Sequence, residues 1–197
     1  MNPTRVLIAG IGNIFLGDDA FGVEVAQRLL LRPQRDDVKV VDFGIRGLDL
    51  TYALLDGCDA AILIDAVGRG EKPGTLYVLE PRLDSNSGGA GATPMIEAHS
   101  MDPAKVLRTV TALGGRLNRV LVVGCEPSPP PEDDDMRMGL SPPVEAALEE
   151  AVALVESLVN RMLDSGTAHT LDLNPPPSTD AAAHQEEPQH AKAQSFA

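Results

Sequence analysis

Three shortages bound what this 197-residue chain can be. It has two cysteines, Cys58 and Cys125, far apart and in no C-x-x-C. So few thiols at that separation exclude a disulfide framework and a zinc finger, and a reducing cytosol is the expected compartment. Positive charge is also scarce: 16 Lys and Arg stand against 29 Asp and Glu, a net charge of -13 and a pI near 4.6. Nucleic acids and anionic membranes are bound by Lys and Arg that displace counterions, so neither is an expected partner. Long apolar runs are missing too, since no segment approaches the roughly 20 residues that span a bilayer. The run after Arg5 is broken by glycines and Asn13 and lacks an A-x-A-like exit, so it is not expected to be a signal peptide. There is no G-x-S-x-G elbow for a serine hydrolase and no internal repeat.

What is present reads as one α/β domain over residues 1–165, able to bury roughly 70% of its unfolded surface. Residues 166–197, rich in Pro, Ala, Gln and Glu, are expected to form a disordered tail. Val6 to Ala9 leads into Gly10-Ile11-Gly12-Asn13, then Asp18 and Asp19, then an amphipathic helix with Phe21, Val25 and Leu29 on one face and Ala26 and Leu30 widening it. Strand, glycine turn and helix in that order open a parallel α/β sheet. Val38 to Val41 is a second strand presenting Asp42, before a Gly44 to Gly47 turn. Leu48, Thr51, Tyr52 and Leu55 share the face of a second helix, and Ala60 to Ile64 is a buried third strand closed by Asp65. Thr75 to Glu80 follows too soon for a crossover and is expected antiparallel at an edge. After a glycine- and serine-rich segment, residues 82–98, come His99 and Asp102-Pro103, a cap-and-proline start for a helix to Leu113 with Val106, Val110 and Leu113 inward. Arg119 to Gly124 is the last central strand, and PSPPPEDDD a surface loop. From Ser141 and Pro142 a final helix keeps Val144, Leu148, Ala151, Val155, Leu158 and Met162 on one face. The expected fold is a three-layer α/β/α sandwich around a mostly parallel, twisted sheet of about five strands with one antiparallel edge strand.

Ligands of open α/β sheets gather at the carboxyl ends of the strands. This chain puts acids there: Asp18 or Asp19 after the first strand, Asp42 after the second, Asp65 after the third, with His99 entering from a loop. Two carboxylates and an imidazole from separate segments suit a borderline divalent ion, Ni or Zn over Mg or Ca. The plainer readings are that Asp18 and Asp19 cap a helix, that Asp42 accepts amides of its own turn, and that His99 is structural. Asp65 is harder to explain that way, because an acid ending an apolar strand loses hydration unless it has a partner. Cys125 with His99 is a candidate thiolate pair, although a small buried strand residue is the simpler role. A Rossmann-like nucleotide site is disfavoured: the third glycine of G-x-G-x-x-G falls at Phe15, and acids crowd the turn.

The pattern Gly10-x-Gly12-Asn13-x4-Asp18-Asp19-x2-Gly22, then Asp42-Phe-Gly-Ile-Arg-Gly47, then a strand ending in Asp65, then His99 before a helix, resembles the hydrogenase maturation endopeptidases. The likeness spans residue 5 to about residue 163. It implies an endopeptidase that removes the C-terminal extension of a [NiFe] hydrogenase large-subunit precursor after nickel insertion. It further implies Asp19, Asp65 and His99 as metal ligands; beside them Asp42 or Asp18 is a candidate base. The nickel is expected to be carried by the precursor, with other divalent metals able to substitute. A non-proteolytic nickel-binding accessory protein is the alternative. Two departures stand out: Asp at position 19, where some members have Glu, and Ile45-Arg46 in place of a Thr-containing glycine turn.

Overall fold

A computed structural model describes residues 6–81, 102–116, 118–129 and 138–164. The chain divides into two units, Met1–Thr167 and Ala168–Ala197, and every described residue belongs to the first. His99, the stretch before it, residues 130–137 of the acid and proline run and the expected tail all lie outside the described residues.

The strands are β1 (Val6–Ile11), β2 (Val38–Gly44), β3 (Ala60–Ala66), β4 (Leu76–Leu79) and β5 (Val120–Cys125), and they form one sheet in the order β2-β1-β3-β5-β4. All pairings are parallel except β4 with β5, so the expected antiparallel edge strand is where the short connection required it. The helices are α1 (Phe21–Leu30), α2 (Gly47–Leu55), α3 (Pro103–Ala112), α4 (Pro142–Ala146) and α5 (Leu148–Asp164). None of the described helices is long and apolar enough to cross a membrane.

Side chains alternate across the sheet because strand residues point to opposite faces in turn. Val6, Ile8, Ile62, Ile64, Leu121 and Val123 pack on the face covered by α1, α4 and α5. Leu7, Ala9, Ala61, Leu63, Val120 and Val122 pack on the face covered by α2 and α3. Complete burial of a side chain such as Phe21 or Leu50 contributes about 1.5–3 kcal/mol, so both faces are firmly held.

The helix faces correct several expectations. α2 buries Leu50, Thr51 and Leu54, while Leu48 and Tyr52 are exposed. This short helix is apolar on most sides, and the neighbouring α3 selects which stripe is covered. α3 buries Val106, Leu107 and Val110; Leu113 lies past the last turn, where Gly114 takes φ 81°, and it faces solvent. Leu30 is likewise exposed at the end of α1. The final helix is interrupted at Ala147, where the Ala147 N–H donates to Val144 O at 3.2 Å, yet all six inward residues expected of it are buried.

Glycine allows α1 to sit unusually close to the strands. A Cβ at Gly10 would overlap Gly22 O and the Ala26 side chain, and one at Gly22 would overlap the carbonyl oxygens of Ile64 and Ile11. Gly12, at φ 134°, lies against Asp19 O, where a side chain would collide. These glycines of the opening motif are therefore filled by the chain's own backbone. The Gly22→Ala variant should lose about 1–3 kcal/mol through overpacking, a fall in Tm of about 2–12 °C. An unchanged melting curve by circular dichroism would contradict the close packing.

Candidate active site

Leaving β2 at the edge, the chain passes through α2 and returns on the other side of β1 to form β3. The crevice between the carboxyl ends of β1 and β3 is thus a topological switch point, the usual seat of a ligand in such sheets. Asp19 and Asp65 both stand there. Asp19 belongs to the 3-10 turn Gly17–Ala20 that follows β1, and Asp65 is next to last in β3. Gly22, three positions after Asp19, rests on the carbonyl of Ile64, immediately before Asp65, so the glycine contact sets the approach of the two acids.

The loop before the turn is folded around the Asp19 carboxylate. The Asn13 N–H donates to Asp19 Oδ2 at 2.6 Å, the Asp19 N–H donates to Leu16 O at 3.2 Å, and the Phe15 N–H donates to Asn13 Oδ1 at 3.0 Å. Asp65 is 7% exposed and accepts one bond, from the Ala66 N–H to Oδ1 at 2.9 Å. Burial pushes its carboxyl up to about 8, the negative charge of Asp19 adds to this, the Ala66 amide opposes it, and Asp102 raises it further. Among the described residues neither Asp19 nor Asp65 has a Lys or Arg within ion-pair distance. Held at about 8, the Asp65 carboxyl keeps its proton at neutral pH. Among the described residues no three ligating side chains gather, and His99, the expected third, lies outside them.

The neighbouring acids do different work. Asp18 accepts three bonds, from the Ser128 N–H at 2.7 Å, the Ser141 N–H at 2.6 Å and the Ser141 hydroxyl at 2.8 Å. It ties the Asp19 turn to the segments after β5 and before α4, so of the adjacent acids Asp18 clasps distant segments and Asp19 holds its own loop. Asp42 lies within β2 rather than after it, paired with Gly10 just before a bulge, and Gln27 Nε2 donates to it at 3.4 Å. The following turn is held by the Arg46 guanidinium, which donates to the carbonyls of Asp42 and Phe43, and not by the Asp42 carboxylate accepting amides. Burial, then Asp18 and Glu126, push the Cys125 thiol up to about 11, which leaves it protonated and removes support for a thiolate nucleophile.

Sequence reasoning missed Glu126, although it too is an acid directly after an apolar strand. It is 5% exposed and accepts the N–H groups of Arg69 at 2.7 Å and Gly70 at 3.0 Å and the Tyr77 hydroxyl at 2.5 Å. The Tyr77 hydroxyl and these amides hold its carboxyl below the usual range against the opposing effect of burial. Glu126 is a satisfied anchor for the loop before β4. Asp65 differs: among the described residues it accepts one amide and lies in the field of a second acid.

Fold and rim together define an α/β protein with a pair of acids at its sheet's switch point. The hydrogenase maturation protease family model, HycI, matches residues 23–158. A hydrogenase 2 maturation protease of Escherichia coli K12 is 31% identical over 168 residues, covering 82% of this chain and 93% of that protein. A hydrogenase expression/formation protein HupD of Rhodobacter capsulatus is 33% identical over 152 residues, covering 77% of this chain and 69% of its own length. The solved structure of the E. coli hydrogenase maturating endopeptidase HybD superimposes with a TM-score of 0.61 at 28% identity, over 82% of this chain and 94% of that one. The chain belongs to the hydrogenase maturation protease family, and it is an endopeptidase. The nucleotide-binding alternative also loses its footing, since the space at Gly10 and Gly12 is occupied by Gly22, Ala26 and Asp19.

Asp65 has a measurable signature in metal-free protein. An acid held at about 8 when folded, against 3.8 ordinarily, keeps its proton on folding while the unfolded chain loses it. Its contribution therefore turns unfavourable as pH rises from about 4 to about 8 and levels off above. Asp65→Asn removes that dependence. With chelator present, the Tm of the variant relative to wild type should climb between pH 5 and pH 8; a constant difference would mean that Asp65 is ionised throughout.

Proposed function

We propose that this endopeptidase removes the C-terminal extension from the large-subunit precursor of a [NiFe] hydrogenase. Nickel already inserted in the precursor is the feature recognised, and Asp19, Asp65 and His99 complete its coordination. The observation carrying this reading is the acid pair: a buried Asp65 in the field of Asp19, with no cation partner among the described residues. A second observation supports the third ligand. The charge of Asp102 acts on Asp65, and His99 precedes Asp102 by three residues, a span of at most about 11 Å. Carboxylate and imidazole donors suit nickel, and other borderline divalent ions fit the same set.

In this scheme the nickel is part of the substrate, and the chain's own residues position it. Asp19 is preset by the Asn13 amide, and Asp65 is fixed by β3. Holding the precursor by its metal places the scissile bond against the rim, and such positioning contributes up to about 7–11 kcal/mol to lowering a barrier. Of the two acids considered as base, Asp18 has its carboxylate engaged by Ser128 and Ser141. Asp42 is left for that role. It and Ile64 flank Gly10 on opposite sides, about 10 Å apart across two strand spacings, within reach of a peptide bound between them.

The test is to incubate the purified full chain with nickel-loaded and nickel-free precursor and to follow peptide release by mass spectrometry. Cleavage is expected only of the loaded form. Asp19→Ala, Asp65→Ala and His99→Ala should each slow it by about a hundredfold or more while melting as folded proteins. Equal cleavage of both precursors would remove nickel from recognition, and binding without any cleavage would favour the accessory-protein reading.

Metal affinity gives an independent check. A bound ion must displace the Asp65 proton, held at about 8, and needs His99 neutral, with an ordinary pKa of about 6.5. Nickel affinity by calorimetry should fall as pH drops below 8 and fall more steeply below about 6.5. In His99→Ala the lower step should disappear and the upper one remain; an identical profile would exclude the imidazole.

A further inference from the structure

Beside the acid pair the rim turns apolar where it meets solvent. Ile14, Phe15 and Leu16, three large side chains in succession, are 43%, 51% and 48% exposed in the loop folded around Asp19. The turn after β2 and the start of α2 lie alongside, because the Gly12 N–H donates to Gly44 O at 3.1 Å, and they add Ile45 and Leu48, 55% and 64% exposed. Single exposed apolar residues are ordinary on a protein surface, but five on two adjoining segments at the mouth of one site mark a contact surface.

We infer that this rim seats apolar side chains of the precursor beside its metal, an inference that rests on the processing role proposed above. The occupant is a polypeptide segment with exposed apolar residues and no excess of acid. Three features on the molecule select it. An endopeptidase must receive a polypeptide next to its site, and the loop carrying Ile14, Phe15 and Leu16 is the one that presets Asp19. The acid pair and the net charge of -13 repel an acidic segment, and the exposed side chains of the rim offer apolar contact to a metal-bearing partner. A second copy of the chain is the poorer occupant, since joining two such rims would bring two acid pairs toward each other. The division of labour is then that Asp19 and Asp65 take the metal while the rim holds the chain that carries it.

Phe15→Ser and Leu48→Ser, with Leu31→Ser as a control 89% exposed at the far end of α1, test this in the full-length protein with nickel-loaded precursor. Each rim variant should raise KM about tenfold with a smaller change in kcat and no change in Tm, and the control should match wild type. Wild-type KM in both rim variants would overturn the inference while leaving the processing role intact. So would a wild-type dimer on gel filtration that both variants convert to monomer, since the rim would then bind a second copy. Failure of the wild-type protein to cut loaded precursor would instead defeat the processing role, and this inference with it.

Discussion

The structure depends on one close approach, the first turn of α1 against the backbones of β1 and β3. Gly10, Gly12 and Gly22 permit it, since each would bring a Cβ into atoms of the neighbouring element. Glycine at these places has a consequence beyond packing. Because Gly22 bears on the carbonyl of Ile64, the turn carrying Asp19 is pressed toward the end of β3, where Asp65 stands. Helix, strands and acid pair are therefore one mechanical unit, and a motif shaped like a nucleotide cradle is spent on bringing two negative groups together.

The same rim shows how one sequence pattern leads to opposite chemistry. Asp65 and Glu126 are both nearly buried acids, the first near the end of β3 and the second just after β5. Glu126 receives backbone amides and a phenol, so its charge is solvated by the protein, and it fastens a loop. Among the described residues Asp65 receives a single amide and lies in the field of Asp19, so burial and repulsion dominate. The clasp formed by Asp18 completes the contrast, for its neighbour Asp19 is kept at the site by bonds that Asp18 makes elsewhere.

Much of this was readable from residue order. The apolar runs of β1, β3 and β5, the short hop to an antiparallel β4 and the Asp102-Pro103 helix start are local signals, and Asp102 does cap α3 by accepting from the Ala104 N–H at 2.8 Å. Asp19 and Asp65 were both legible as rim acids, because parallel topology puts strand ends on one edge whatever the packing details. The face of α2 was not legible, since Leu48, Leu50, Leu54 and Leu55 leave two apolar stripes in nine residues and only the packed partner chooses between them.

By itself the sequence determined the kinds of element and their order, because periodicity, turn residues and spacing act over a few positions. Tertiary structure alone decided how each of several similar acids is partnered. Asp18, Asp42 and Glu126 find hydrogen-bond partners on elements distant in the chain, whereas among the described residues Asp65 accepts only from its neighbour Ala66. A carboxyl's charge state follows from burial and from the donors and charges around it, and these are assembled only when the strands and helices close on one another.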